Sequence, residues 1–145
     1  MNLGPLKGLR ILDMTTVLMG PYATQTLGDL GAEIIKVEGT SGDLVREIGP
    51  TRNEGMGPLF LNTNRSKRSI VLDLKSDAGR LALLRLAQSC DALVSNVRPL
   101  AMQRLGLSWE VLQETNPNLI YAALVGFDQT GPYATRPAYD DLIQG

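Results

Sequence analysis

At 145 residues, with 14 Lys and Arg against 15 Asp and Glu, the chain carries a net charge of −1, which excludes the broad basic footprint of a nucleic-acid or membrane-surface binder and leaves any anion site to be local. It has one cysteine and no histidine, which excludes disulfides, Ser-His-Asp and Cys-His catalysis, and a zinc centre built on either residue. The chemistry left is that of carboxylates, lysine, tyrosine and the backbone, with no metal. Cys90 ends an apolar helical pattern and reads as buried, so a reducing, cytoplasmic setting fits. No window approaches the roughly 18 consecutive apolar residues of a membrane span, and the N-terminus lacks the apolar core of a signal.

In chain order, Leu9 to Met14 is a short apolar run interrupted by Arg10 and Asp13, followed by a turn over Thr15 to Met19. Gly20 and Pro21 predict a helix start, and Tyr22, Thr26, Leu27 and Leu30 recur at helical spacing before Gly31 stops it. Glu33 to Val37 is a second strand, so the opening stretch is one βαβ unit. Residues 39 to 58 are rich in Gly and Pro and predict a long excursion holding one helical turn near Asp43 to Ile48. Ser69 to Leu74 reads as a third strand and Ser76 as the cap of a helix to about Ser89, with Ala78, Leu81, Ala82, Leu86 and Ala87 facing inward. A fourth strand, Asp91 to Asn96, ends in a polar side chain. A short basic helix follows from Pro99, and Ser108 caps another that buries Trp109, Val111 and Leu112 and stops before Pro117. Leu119 to Val125 is the fifth strand, Gly126 to Ala138 its exit loop, and Tyr139 onward the start of a helix.

Short apolar strands alternating with helices predict an α/β fold, a doubly wound, mostly parallel sheet with helices on both faces. Ligands of such sheets lie outside the carboxyl ends of the strands, where the 14 to 20 turn, Asn96 and the 126 to 138 loop are delivered. The turn after the first strand carries Thr15, Thr16, Val17, Leu18 and Met19 where a dinucleotide fingerprint needs glycines, which argues against NAD. Arg65, Lys67, Arg68 and Lys75, joined by Arg98 and Arg104, read either as a solvated basic face or as cations for phosphates.

Several of these stretches together resemble a known family. Val17 to Ala23, Gly28 to Glu38, Ser41-Gly42-Asp43, Asn64 to Lys75 and Val94 to Pro99 are similar, in that order, to the N-terminal signature of the class III CoA-transferases, the CaiB/BaiF family. Leu105-Gly106, Asn116-Pro117, Gly126-Phe127, Gly131-Pro132 and Tyr139-Asp140 extend the resemblance to the end. It implies a Rossmann-like fold and an enzyme that moves coenzyme A between small carboxylic acids, through an aspartyl anhydride and an aspartyl-CoA thioester. One branch of the family instead racemises acyl-CoA. Carried over by position, Leu72, Lys75, Asn96, Val97 and Arg104 hold the CoA nucleotide, with Lys67 and Arg68 in the same basic segment. Val17 and Leu18 line the thioester end and Tyr139 lies beside the reacting acyl group.

Three departures narrow the expectation. Leu18 replaces a glutamine of the formyl-CoA and oxalate branch, and Gly39 replaces an arginine near the adenine. Tyr139 stands where the racemase branch has its histidine base, so transfer is favoured over racemisation. Family members are longer, and their nucleophilic aspartate lies beyond Tyr139; Asp140 and Asp141 match the acidic start of the next helix instead. The resemblance therefore implies that residues 1–145 are the N-terminal part of the large CoA-binding domain. The nucleophile, the small domain and the C-terminal return lie outside them. Full-length members pair as interlocked homodimers. A non-catalytic CoA- or nucleotide-binding module stays open as the alternative.

Overall fold

The computed structural model describes residues 4–144. Its strands, β1 (Arg10–Met14), β2 (Glu33–Glu38), β3 (Arg68–Val71), β4 (Ala92–Ser95) and β5 (Ile120–Ala123), form one parallel sheet in the order β3-β2-β1-β4-β5. The helices are α1 (Met19–Asp29), α2 (Pro58–Thr63), α3 (Asp77–Ala87), α4 (Pro99–Arg104), α5 (Trp109–Thr115) and α6 (Asp140–Ile143), with a 3-10 turn at Leu44–Arg46. The expected doubly wound α/β architecture is present. The chain winds outward from β1 to β3 and then returns to β4, so the order reverses between β1 and β4, where sheets of this kind open a crevice. Among the described residues no helix is long and apolar enough to cross a membrane.

Strand alternation divides the side chains between two faces. Leu12, Met14, Val37 and Leu93 point to one, where Leu83 and Ala87 of α3, Met102, Leu107, Leu112, Cys90 and Leu119 complete the larger apolar core. Ile11, Ala32, Ile34 and Val94 point to the other and form a smaller cluster with Leu27 of α1. On this second face the apolar pattern stops partway along the strands: Asp13 follows Ile11, and Lys36 and Glu38 follow Ile34, all buried. Asp13 and Lys36 are register partners in the sheet.

That charged floor explains why α1 differs from expectation. The helix begins at Met19, with Leu18 as its N-cap, and Gly20 lies inside the first turn because a Cβ there would collide with the Thr15 side chain. Gly20, Pro21, Thr24 and Gln25 face inward, while Tyr22 and Thr26 face solvent. The Thr24 hydroxyl bonds Asp13 in that floor as hydrocarbon cannot, and the Gln25 amide oxygen accepts from the Arg65 N–H. In α3 the buried stripe is Gly79, Leu83 and Ala87, and Leu81 is 50% exposed. Gly79 fixes that phase, since any side chain there would collide with the Asp73 carbonyl. The third strand stops at Val71 rather than Leu74. Asp73 Oδ1 accepts from Lys75 N–H, and the Asp73 carbonyl accepts from the Ser76 hydroxyl, so the chain turns before the strand can continue. Trp109 stays 37% exposed and stacks on Tyr121 at 6.0 Å, because among the described residues β5 is an edge strand of the sheet.

Candidate active site

β1 leads into the turn Thr15 to Leu18 at the switch point, and side chains hold its backbone group by group. Thr15 N–H donates to Asp13 Oδ1 at 2.9 Å, and the Thr15 carbonyl accepts from Lys36 Nζ at 2.8 Å. Thr16 N–H donates to Asn96 Oδ1 at 3.0 Å, and Asn96 Nδ2 donates back to the Thr16 carbonyl at 3.0 Å. Val17 N–H donates to Asp43 Oδ1 at 3.2 Å. Val17 is held at φ +73°, in the left-handed region that a β-branched residue rarely enters. Such conformations persist where the surroundings over-determine them, and they gather at functional sites.

Behind the turn lies a chain of buried ions. Lys36 and Asp43 pair at 3.1 Å with side-chain exposures of 1% and 0%. Asp13 takes Lys67 Nζ at 2.9 Å and the Thr24 hydroxyl at 2.7 Å. Lys67 also donates toward the Pro21 carbonyl, Thr24 Oγ1 and Asn64 Oδ1, all at 2.8 Å, so protein acceptors take up its N–H groups. Burial lowers the Lys67 pKa, against the opposing pull of Asp13. At Glu38 burial disfavours the charge, yet the hydrogen bonds from Arg46 and Ser69, the Arg46 charge and the Asp43 amide outweigh it and hold the carboxyl at about 2. Arg46 grips both Glu38 oxygens at 2.7 Å and lies 3.6 Å from the Phe60 ring centroid. Glu38 is thus committed to Arg46, whereas an acidic residue at the end of a second strand would bond the ribose in a dinucleotide fold.

On the solvent side of the turn is a cleft of about 530 Å³, walled by Thr16, Val17, Leu18 and Met19 from one side and Asn96, Arg98, Arg136 and Tyr139 from the other. Tyr139 is 73% exposed at its edge. A second hollow of about 480 Å³ brings Lys75 of the β3–α3 turn together with Arg80 and with Arg104 at the end of α4. The structure therefore unites Val17, Leu18, Asn96 and Tyr139 in one place and Lys75 and Arg104 in another. Leu72 and Val97 line neither and pack against the larger core. Lys67 and Arg68 line neither: Lys67 is buried on Asp13, and Arg68 pairs with Glu33 at 2.6 Å. The basic segment is divided because its members leave β3 at opposite ends.

Sequence reading missed Arg80, Arg136 and the buried set Asp13, Lys36 and Asp43. Arg80 and Arg136 carry no local signal, since only folding brings them to a cavity. Asp13 and Lys36 do: each interrupts an apolar strand of a sheet covered on both faces, where a charge must be paired.

The family described as CoA-transferase family III matches residues 6–145. The acetyl-CoA:oxalate CoA-transferase of Acetobacter aceti is 46% identical over 97% of this chain and 36% of its own length. The human succinyl-CoA:glutarate CoA-transferase is 43% identical over 96% of this chain and 32% of its own. The crystal structure of a CAIB/BAIF family protein from Brucella suis superposes with a TM-score of 0.91 at 41% identity, over 97% of this chain and 38% of that one. The chain spans about a third of the length of the curated relatives it matches.

Proposed function

The chain belongs to CoA-transferase family III, and from that premise we propose that its cleft and hollow are the coenzyme A half of an acyl-transfer site. The observation that carries this reading is the cleft at the switch point, where Val17, Leu18, Asn96 and Tyr139 converge. Its walls suit a thioester: Val17, Leu18 and Met19 present apolar side chains, while Asn96 fixes the turn by two hydrogen bonds. Lys75, Arg80 and Arg104 supply the cations that phosphate recognition requires. Leu72 and Val97, packed against the larger core, would give apolar ground to the nucleotide.

In the chemistry we propose, a carboxylate oxygen of an aspartate outside residues 1–145 attacks the acyl-CoA carbonyl and expels the CoA thiolate, leaving a mixed anhydride. The thiolate then attacks the aspartyl carbonyl, releasing the donor acid and forming an aspartyl-CoA thioester. The acceptor carboxylate attacks that thioester and expels the thiolate again, and the thiolate attacks the acceptor's carbonyl in the new anhydride, giving acceptor-CoA and freeing the aspartate. The part played by the residues described above is to bind CoA, keep its thiolate at the cleft and exclude water from the thioester.

Calorimetric titration of CoA and 3′-dephospho-CoA tests the assignment. Removing one charged phosphate contact should weaken CoA about tenfold in Lys75→Ala or Arg104→Ala, with a smaller loss for dephospho-CoA. Equal affinities of the two ligands, or binding unchanged in both variants, would overturn it.

A further inference from the structure

The buried pair Lys36 and Asp43 lines neither the cleft nor the hollow of Lys75 and Arg104, yet it holds both ends of the turn that forms the cleft wall. Lys36 Nζ reaches the Thr15 carbonyl at 2.8 Å and Asp43 Oδ2 at 3.1 Å, and Asp43 Oδ1 takes the Val17 N–H at 3.2 Å. Asp43 is itself fixed, because its own N–H donates to Glu38 Oε2 at 3.1 Å and its Oδ1 also accepts from Val45 N–H at 3.3 Å. One ion pair thus spans the turn from carbonyl to amide. Two fully buried charges are an expensive way to gain stability, since apolar side chains of equal volume commonly serve as well. What charges supply and hydrocarbon does not is direction, and here the direction is that of a strained peptide unit, Val17 at φ +73°.

We infer that Lys36 and Asp43 are positioning residues, which preset the Thr15–Val17 turn to receive the acyl end of the thioester. The inference rests on the reading of this cleft as an acyl-CoA site. It separates the two ends of the ligand: the nucleotide, held at the hollow of Lys75 and Arg104, is indifferent to the pair, whereas the acyl group depends on it.

The test is calorimetric titration of CoA and acetyl-CoA against the 145-residue chain, its Asp43→Ala variant and Asp43→Asn, which retains an oxygen for the Val17 N–H. In Asp43→Ala the CoA affinity should stay within about twofold while the preference for acetyl-CoA over CoA falls to unity, and Asp43→Asn should restore most of that preference. If Asp43→Ala does not fold, the charge-free Lys36→Met/Asp43→Leu double variant makes the same prediction, because it leaves no unpaired buried charge. Parallel weakening of both ligands, a preference unchanged by the substitutions, or a wild-type chain that binds both alike would overturn the inference. A wild-type chain that binds neither ligand refutes the CoA site itself, and amide exchange then decides on the clamp. Loss of protection at Val17 in Asp43→Ala, with β1 and β4 amides unchanged, upholds the preset turn; unchanged Val17 protection overturns it.

Discussion

The two faces of the sheet are built on different principles. Toward α3 and α5, Leu12, Leu83, Leu93, Leu107 and Leu112 are fully buried in a continuous apolar core. Toward α1, among the described residues, Ile11, Ala32, Ile34 and Val94 form a smaller buried cluster, and beyond it Asp13, Lys36, Asp43, Glu38 and Lys67 occupy the interior with Phe60 against Lys36 and Arg46. Hydrocarbon burial is non-directional and tolerates repacking. Hydrogen-bonded charges fix angles as well as distances. The cleft is walled by the Thr16 to Met19 turn, and the buried charges hold the Thr15 carbonyl and the Val17 amide of that turn, so the backbone beside the site is specified more narrowly than the apolar core.

Breaking each face should therefore feel different. The largest loss is expected for Asp13→Ala, which strands the Lys67 ammonium in the interior and should cost about 3–5 kcal/mol in urea unfolding. The double variant Asp13→Leu/Lys67→Met should recover most of this, because it leaves neither partner of the pair stranded without the other; a double variant as unstable as the single would refute the ionic account. On the opposite face Leu83→Ala should cost about 3 kcal/mol through lost burial and the cavity left behind, with the dissociation constant for CoA unmoved. The smallest effect is a pH effect at Glu38. Its folded-state carboxyl titrates at about 2, below the ordinary 4.5, so its contribution is present above about 4.5 and is lost as pH falls through the window down to about 2. Acid unfolding curves of wild type and Glu38→Gln should converge across that window; a constant gap between them would contradict the assignment.

The parallel α/β class follows from features legible in one dimension: short apolar runs, helix starts such as the Ser76 cap and Pro99 at the first helical position, and crossovers long enough for parallel pairing; the strand order itself is not among them. The resemblance carried by Val17 to Ala23, Gly28 to Glu38 and Asn64 to Lys75, among other stretches, pointed to the family whose match over residues 6–145 then showed it. Helix faces were less legible. Periodicity assigns Tyr22 and Leu81 inward, but the inward face of α1 is set by the charges beneath it, and that of α3 by the close approach of Gly79 to the Asp73 carbonyl. Both causes are tertiary, and hydropathy does not register them. The basic segment shows the same limit at the site. Lys67 and Lys75 are eight positions apart on one charged stretch, yet one is consumed inside the fold and the other faces an open hollow.

Val17 carries a consequence for anyone altering this protein. A β-branched residue held at φ +73° costs on the order of 1–3 kcal/mol of backbone strain, and glycine would occupy the same conformation freely. Selection for folding alone would put glycine there, and in doing so would delete the isopropyl group from the cleft wall. Stability and shape thus compete at a single position, and a redesign scored only on thermal tolerance would remove part of the cleft while improving every measure of the fold.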